Sequence, residues 1–288
     1  TEPTRQAYRE RVHLTWLEDL LRDLTYGART LTRQKSATAV AVLTLAIGIG
    51  ASTAIFSAIK PILIAPLPYP HASRLMMVWE TGKNGLTNPV TFGTFYGVSQ
   101  QNHSFDALAV FKGWQPAATA TGEADKPERL DGQRVSAEYF RILGISPLRG
   151  RDFLAADDRF RGPNVVILSD KLWRSRFGSN AAIIGKQIRL DDALYTVVGV
   201  MPSDFENVVS SSAEIWAPLQ YDSSLPWDGR EWGHHLHMIG RLKVGVSREQ
   251  AANELSIVLH SLAQIHARGY DSSGGAPHGM AVNSLQRD

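Results

Sequence analysis

The chain has 288 residues, with 30 basic and 28 acidic side chains and a formal charge of +2. This near balance argues against a general nucleic-acid-binding protein, and an apolar content of 43% argues against a disordered chain. The absence of cysteine excludes disulfide frameworks, thiolate zinc sites and cysteine nucleophiles. A mean hydropathy of −0.16 excludes a polytopic membrane bundle, although such an average can conceal one membrane helix.

The first predicted element lies within residues 1–35 and is an amphipathic helix. Arginines interleave on its polar side, and Trp16 and Tyr26 are residue types that suit the lipid headgroup region. The pattern fits a helix at the membrane interface and a helix packed on another protein domain equally well. Its apolar stripe has a 4-3-4-3 spacing and consists of Leu17, Leu21, Leu24, Ala28 and Leu31.

The next element is a run of 24 uncharged residues, Ser36–Ile59, bounded by Lys35 and Lys60. As a helix it would be about 36 Å long, which is enough to cross a hydrocarbon core of roughly 30 Å. We therefore predict a transmembrane helix over residues 36–60. The alternative is a buried helix in a soluble core, but such helices rarely stay uncharged on every face for this length.

The basic residues that flank this run predict its orientation. Because cytoplasmic flanks carry an excess of Lys and Arg, the N-terminus is predicted to be cytoplasmic. The residues after 60 are then periplasmic, and the chain lies in the cell inner membrane. The flanking basic residues are Arg22, Arg29, Arg33 and Lys35 before the run, and Lys60 and Arg74 after it.

One face of the predicted membrane helix carries a small residue at every fourth position. Such a ladder lets the backbone of a second helix approach closely, although membrane helices are often rich in Ala and Gly without a dedicated partner. A functional ladder implies that this helix packs against others, so that the chain is a fragment or part of an assembly. The predicted packing face consists of Ala46, Gly50, Ala54 and Ala58.

Closely spaced prolines follow the helix and predict an extended connector over residues 61–74. Residues 75–288 have the pattern of a mixed α/β domain, so the whole chain is predicted to be α+β with one transmembrane helix. The predicted strands are Leu75–Glu80, Asp106–Trp114, Ala117–Thr121, Arg129–Val135, Val165–Leu168, Lys186–Leu190, Tyr195–Val200, Glu214–Pro218, His235–Leu242 and a last one from Met280. The predicted helices are Thr91–Gln101, Ala137–Leu143 with Ser136 as N-cap, Asp170–Phe177, and a helix with the capping box Ser247 and Gln250 that ends near His266.

The candidates for chemistry are weak. The histidines His234, His235 and His237 suggest a metal site or a solvated strand edge, and we expect that they do not converge on an acidic residue. The pairs Asp157-Asp158 and Asp191-Asp192 suit either acid–base chemistry or local turn hydrogen bonds.

Trp79, Trp173 and Trp216 are predicted to be core residues, whereas Trp227 and Trp232 suit a partner contact or loop packing. No phosphate-binding loop is present, so we predict no catalytic, cofactor or metal residues and no enzyme.

Several long motifs, in one order along the chain, resemble the MacB-type (FtsX-like) ABC transporter permeases, in particular the branch of orphan permeases. The first are DLTYGARTL, TAVAVLTLAIGIGASTAIFSAI, PLPYP and RLMMVWE, at the start of the chain. The later ones resemble the MacB-like periplasmic core domain and are VSAEYFRILGISPLRGRDF, VVILSDKLWRSRFGSNAAIIGKQIRLDDALYTVVGVMPSDF, EIWAPL and GRLKVGVSREQAANEL.

The resemblance implies a permease subunit that works as a dimer with a separate cytoplasmic ATPase. ATP-driven motion would pass through the membrane to a periplasmic domain with a porter-like part and a second, variable part. In the family three further membrane helices follow the domain, whereas this chain shows one helix, so it is expected to be the N-terminal portion of such a permease. The alternative function is a membrane-anchored periplasmic binding or sensor module without ATPase coupling.

Overall fold

The computed structural model describes residues 21–27, 29, 31–63, 67–118, 128–207, 209–225, 233–266 and 278–285, with backbone alone for 58–63. The predicted contact residues Trp227 and Trp232 lie outside the described residues. The chain divides into two compact units, Thr1–Ala65 and Pro66–Asp288, and each is described by itself.

The first unit contains a helix, α1, that spans Lys35–Leu63 and is long and apolar enough to cross a membrane. None of its segment Lys35–Ser57 is buried, so α1 is not a core helix of the part of the chain that the structure describes. The helix continues past Pro61, whereas an extended connector was predicted from residue 61. Pro61 lacks the amide that would donate to the carbonyl four residues earlier, but it lies in the last turn, so the loss affects only this end of the helix.

The second unit is built on one mixed sheet, which has thirteen strands within the described residues. The strands are β1 (Leu75–Thr81), β2 (Thr87–Asn88), β3 (Phe105–Trp114), β4 (Ala117–Ala118), β5 (Glu128–Arg129), β6 (Gly132–Val135), β7 (Arg149–Gly150), β8 (Val165–Leu168), β9 (Gln187–Leu190), β10 (Ala193–Val200), β11 (Ile215–Pro218), β12 (His237–Leu242) and β13 (Gly279–Ser284). The helices are α2 (Phe92–Gln101), α3 (Tyr139–Leu143), α4 (Asp170–Phe177) and α5 (Arg248–Ile265).

The strand order is β13-β1-β12-β3-β6-β11-β8-β10-β9-β4-β5, with β2 beside β1 and β7 beside β10. The strands β6 and β11 are parallel, as are β8 and β10, and the other pairs are antiparallel. The sheet therefore continues without a break through the domain, and the mixed α/β class predicted from the sequence is confirmed.

Side chains alternate between the two faces of the sheet, as a strand period of two requires. Leu75 and Met77 of β1 join the core that contains α3, whereas Met76 and Val78 join the core under α2 and α5. The far end of the sheet has its own core beneath α4. The core that contains α3 also holds Tyr69, so the segment that precedes β1 belongs to the packed domain.

Most predicted elements agree with the structure, and two helix starts show why local patterns succeed or fail. The capping box of Ser247 and Gln250 is present at the start of α5, as predicted. The helix α3, however, begins at Tyr139, and Ser136 is not its N-cap. The Ser136 hydroxyl oxygen instead accepts a hydrogen bond from the Val110 amide of β3 at 3.0 Å. A partner that is distant in sequence thus replaces the local one.

The two ends of the domain lie side by side, because β1 and β13 are antiparallel neighbours. Met76 at the start of β1 is opposite Ser284 at the end of β13. The Leu285 amide donates to the Leu75 carbonyl at 3.1 Å. The chain therefore enters and leaves the sheet at the same place.

Candidate functional site

The small residues predicted to form a packing face lie on one side of α1. Ala46, Gly50 and Ala54 are exposed, and a Cβ on Gly50 would meet no atom within 4 Å. The predicted flanking residues Arg29, Arg33 and Lys35 are also exposed. The side chains of two other predicted residues, Ala58 and Lys60, lie outside the described residues. The packing face and the charged flanks stay predictions.

The three histidines serve three different contacts. His234 Nδ1 lies 3.2 Å from Oε2 of Glu80, a buried residue of β1, so one histidine meets an acidic residue, but His235 and His237 do not join it there. His235 Nε2 is 2.6 Å from the Tyr221 hydroxyl, and His237 stacks on Phe111. Among the described residues, no three His, Asp or Glu side chains are grouped so that they could hold a metal ion.

The aspartate pairs bind backbone amides. Asp157 accepts from the Leu154 amide, and Asp158 accepts from the amides of Ala137 and Gln220. Burial raises the pKa of Asp158, although these amide hydrogen bonds oppose the rise. Asp191 accepts from the Ala117 amide at 3.0 Å. Only the Asp157 contact with Leu154 is local, because Asp158 and Asp191 bind amides that are between 21 and 74 residues away in sequence. Three of the four carboxylates are engaged by backbone, and the turn interpretation stays a prediction.

Two of the three tryptophans predicted to lie in the core are buried, namely Trp173 and Trp216. Trp79 is half-buried and packs edge-on against His237.

A cavity of about 310 Å³ lies where the carboxyl ends of β8 and β10 meet the start of α4. Two acidic residues in its lining already have cationic partners. Glu214 pairs with Lys171 at 2.9 Å, which raises the pKa of Lys171, and Asp170 pairs with Arg174 at 2.6 Å. These lining residues do not indicate which ligand the cavity would bind.

The segment Leu67–Arg74, here called the junction, is where the chain enters the domain. Tyr69 is buried, and its hydroxyl donates to the Glu206 carbonyl at 2.6 Å. The next residue, Pro70, packs its ring 3.3 Å from the position that a Cβ on Gly144 would occupy. The junction therefore contacts both the loop after β10 and the end of α3.

Two arginines fix the junction to the C-terminal end of β12. Arg241 donates from Nη1 to the Pro70 carbonyl at 2.9 Å and from Nε to the Ile142 carbonyl at 2.9 Å. Arg74 donates from Nε to the Leu242 carbonyl at 2.6 Å and pairs with Asp106. Because the guanidinium group has several donors in a rigid plane, Arg241 joins two separate segments at once.

A buried polar network continues from the junction into the middle of the sheet. Asn207 follows Glu206, and its Nδ2 donates to Gln133 Oε1 on β6 at 2.7 Å. The same oxygen accepts from Trp216 Nε1 on β11 at 3.0 Å. The Tyr139 hydroxyl contacts Asn207 at 3.0 Å, and burial raises the pKa of this tyrosine. Satisfied networks of this kind rigidify a core.

No local pattern in the sequence indicates the junction contacts. The motif PLPYP by itself predicts only an extended connector. The signal for Arg241 was an arginine beside apolar residues within a predicted strand, and its partners are 99 and 171 residues away in sequence.

The comparisons with known proteins agree with this architecture. A family model described as the MacB-like periplasmic core domain matches residues 38–258. A solved domain assigned to a permease of Porphyromonas gingivalis aligns with a TM-score of 0.53 and 17% identity, over 75% of this chain and 91% of that chain. The periplasmic region of MacB from Actinobacillus actinomycetemcomitans aligns with a TM-score of 0.51 and 14% identity, over 74% and 90%. At these identities the structures show a shared fold. No curated protein matches the sequence.

Proposed function

Because the chain belongs to the MacB-like periplasmic core domain family of ABC-type transporter permeases, we propose that it is the N-terminal portion of a permease subunit. In this proposal α1 spans the inner membrane with a cytoplasmic N-terminus, and the domain is periplasmic. A separate cytoplasmic ATPase drives the motion, which the domain uses to export or extract a substrate. The chain itself acts as a mechanical component and not as an enzyme.

The observation that carries this proposal is the junction. A flexible linker would let a moving helix slide without displacing the domain, whereas the junction is tied to three parts of it. Tyr69 contacts the loop after β10, and Arg241 joins Pro70 to the end of α3. Motion of the chain at Leu67 would therefore be delivered directly to the sheet.

The orientation is tested with a reporter that is active only in the periplasm. Alkaline phosphatase fused after Asp288 is expected to be active, and the same enzyme fused after Arg33 is expected to be inactive. Activity of the second fusion alone would overturn the orientation, because it would place the N-terminus outside.

The proposed transmission of ATP-driven motion to the domain is tested with one engineered cysteine, because the natural chain has none. Val244→Cys, an exposed position, carries an environment-sensitive fluorophore in inside-out membrane vesicles of the source organism. We expect ATP to change the fluorescence, and we expect Tyr69→Phe combined with Arg241→Lys to diminish the change. Tyr221→Phe is the matched control, because its hydroxyl contacts His235 and Lys112 and not the junction. A lack of any ATP response in the otherwise unchanged chain would favour the anchored binding or sensor module.

The packing face of α1 is proposed to contact a second copy or another permease helix. Oxidative crosslinking of Ala54→Cys should give a covalent dimer in membranes. Phe56→Cys, which is two positions away and points to the other side of the helix, should crosslink much less. Equal crosslinking at both positions would exclude a specific face.

A further inference from the structure

Residues 151–163 form a loop without helix or strand that is nevertheless held firmly to the domain. Asp157 is buried, pairs with Arg151 at 2.6 Å, and accepts from the Leu154 amide at 2.8 Å. The Gln220 side-chain amide donates to the carbonyls of Asp157 and Pro163 at 2.9 and 3.0 Å. We call these residues the basic loop.

The turn at the outer end of the basic loop is strained and tight. Arg161 has a φ of 58°, a left-handed conformation that non-glycine residues rarely adopt. At Gly162, a Cβ would lie 2.7 Å from the Asp157 carbonyl oxygen, so only glycine fits. Backbone strain of this kind persists only where the surroundings fix it, which the carboxylate anchors do here.

The loop presents apolar and basic side chains outward. Leu154 and Phe160 are 53% and 50% exposed, and Arg159 and Arg161 are exposed beside them. The Arg161 guanidinium lies 5.2 Å from the Phe160 ring centroid. Of the three acidic residues in this stretch, Asp157 and Asp158 point inward to backbone amides, and the half-buried Asp152 accepts from the Phe153 amide. The exposed outer turn that carries Phe160, Arg159 and Arg161 is therefore basic and apolar. Basic residues next to exposed Phe and Leu are typical of surfaces that bind anionic lipid.

The basic loop is attached to the same face of the sheet as the junction. Phe153, the residue before Leu154, is buried in the core that also contains Tyr69. Its ring lies 6.2 Å from Phe140, which is itself 5.8 Å from Phe205, next to the Glu206 that binds Tyr69. In the proposed function α1 spans a membrane, and that membrane is the anionic surface considered for the loop.

From these features we propose that the basic loop docks on anionic phospholipid at the outer surface of the same membrane. Phe160 and Leu154 enter the headgroup region, and Arg159 and Arg161 bind lipid phosphates. This inference rests on the proposed function in one respect, which is that α1 spans a membrane. Docking would hold the domain in a defined orientation while the junction moves it.

The test uses the full chain in nanodiscs that contain brominated lipid, a short-range fluorescence quencher. A fluorophore is placed on Ala155→Cys, an exposed position of the loop that leaves Phe160 and both arginines unchanged. Val244→Cys is the matched exposed control outside the loop. Phe56→Cys reports whether α1 is in the bilayer. We expect quenching at 56 and 155 and little at 244, with stronger quenching at 155 when phosphatidylglycerol is included.

Two loop variants make the result specific. Arg159→Gln with Arg161→Gln should weaken lipid contact about 25-fold, since each basic residue near an anionic surface contributes about fivefold. Phe160→Ser should reduce quenching at 155 in every lipid mixture. None of the three side chains is buried, so both variants should keep the fold, and an unchanged unfolding midpoint checks this.

The outcomes are distinguishable. Quenching at 56 with equal, weak quenching at 155 and 244 would overturn the docking proposal and leave the membrane span intact. If the label at residue 155 changed its fluorescence only when a second protein was added, and not with brominated lipid, the result would also overturn docking on lipid, in favour of a protein partner. An absence of quenching at 56 would overturn both the span and the docking.

Discussion

The substitution Asp152→Asn is expected to stabilise the domain at neutral pH and to do so less at acidic pH. Burial raises the pKa of Asp152 from 3.8 to about 6, and Glu138 adds to the rise. The Phe153 amide, which donates to Asp152 Oδ1 at 2.7 Å, and the nearby Arg141 and Arg151 oppose it. Asparagine keeps an oxygen acceptor for that amide and removes the charge.

The magnitude follows from the two pKa values. A rise from 3.8 to about 6 corresponds to about 3 kcal/mol at neutral pH. Because the carboxylate is only partly covered, solvent screening reduces this to about 1–2 kcal/mol. The folded state binds the proton more tightly than the unfolded chain, so this group's contribution is most favourable below pH 3.8. It is lost as the pH rises to about 6 and beyond.

The assay is urea unfolding of the full chain in detergent micelles, followed by tryptophan fluorescence at pH 7.5 and pH 5. We expect Asp152→Asn to raise the free energy of unfolding by about 1–2 kcal/mol at pH 7.5 and by about half as much at pH 5. Asp204→Asn, at an exposed carboxylate, is the control and should change little at either pH. If Asp152→Asn raised the free energy of unfolding equally at both pH values, or lowered it at pH 7.5, the assignment of a buried, destabilising charge to Asp152 would be refuted.

Three further predictions concern packing and polar contacts. Gln133→Leu leaves the donors of Trp216 and Asn207 without their acceptor and should lower the free energy of unfolding by about 2–4 kcal/mol in urea titrations. A loss below about 0.5 kcal/mol would mean that the network does not stabilise the fold. Gly240→Ala places a Cβ 2.5 Å from Phe105 and should lower the free energy of unfolding by about 1–3 kcal/mol. Gly113→Ala is the control and should be nearly neutral, because a Cβ there meets no atom within 4 Å. Similar losses of stability in both variants would contradict the packing argument. Tyr69→Phe should cost about 1 kcal/mol and raise amide exchange at residues 67–74; unchanged exchange there would argue against a fixed junction.

The sequence predicted the elements of the domain well because their signals are local. The apolar run LMMVWE predicted β1, and the capping box predicted the start of α5. The run of uncharged residues predicted α1, although the helix extends beyond Pro61. In each case residues within a few positions of one another determine the structure.

The contacts that define the candidate site were not predictable in the same way. The Ser136 hydroxyl binds Val110 of β3, and so the local rule for an N-cap failed. His234 meets Glu80 because an isolated bridge joins Val90 and Leu236, and no local pattern specifies that pairing. The anchor Arg241 depends on strand order, since β12 lies between β1 and β3. Register and strand order arise from packing across the whole chain, which a single sequence does not display.

In the proposed function, the arrangement of the two domain ends would give the junction a mechanical role. Because Leu75 and Leu285 are neighbours, forces that separate the entering and leaving segments would open the β1–β13 pair one hydrogen bond at a time. Such opening is the weak direction of an antiparallel pair, since the bonds break in sequence and do not share the load. The anchors at Tyr69 and Arg241 precede β1 and pass the load to α3, β12 and the loop after β10. If the domain moves with α1 as proposed, this diversion would keep the edge pair closed while the sheet moves as one body.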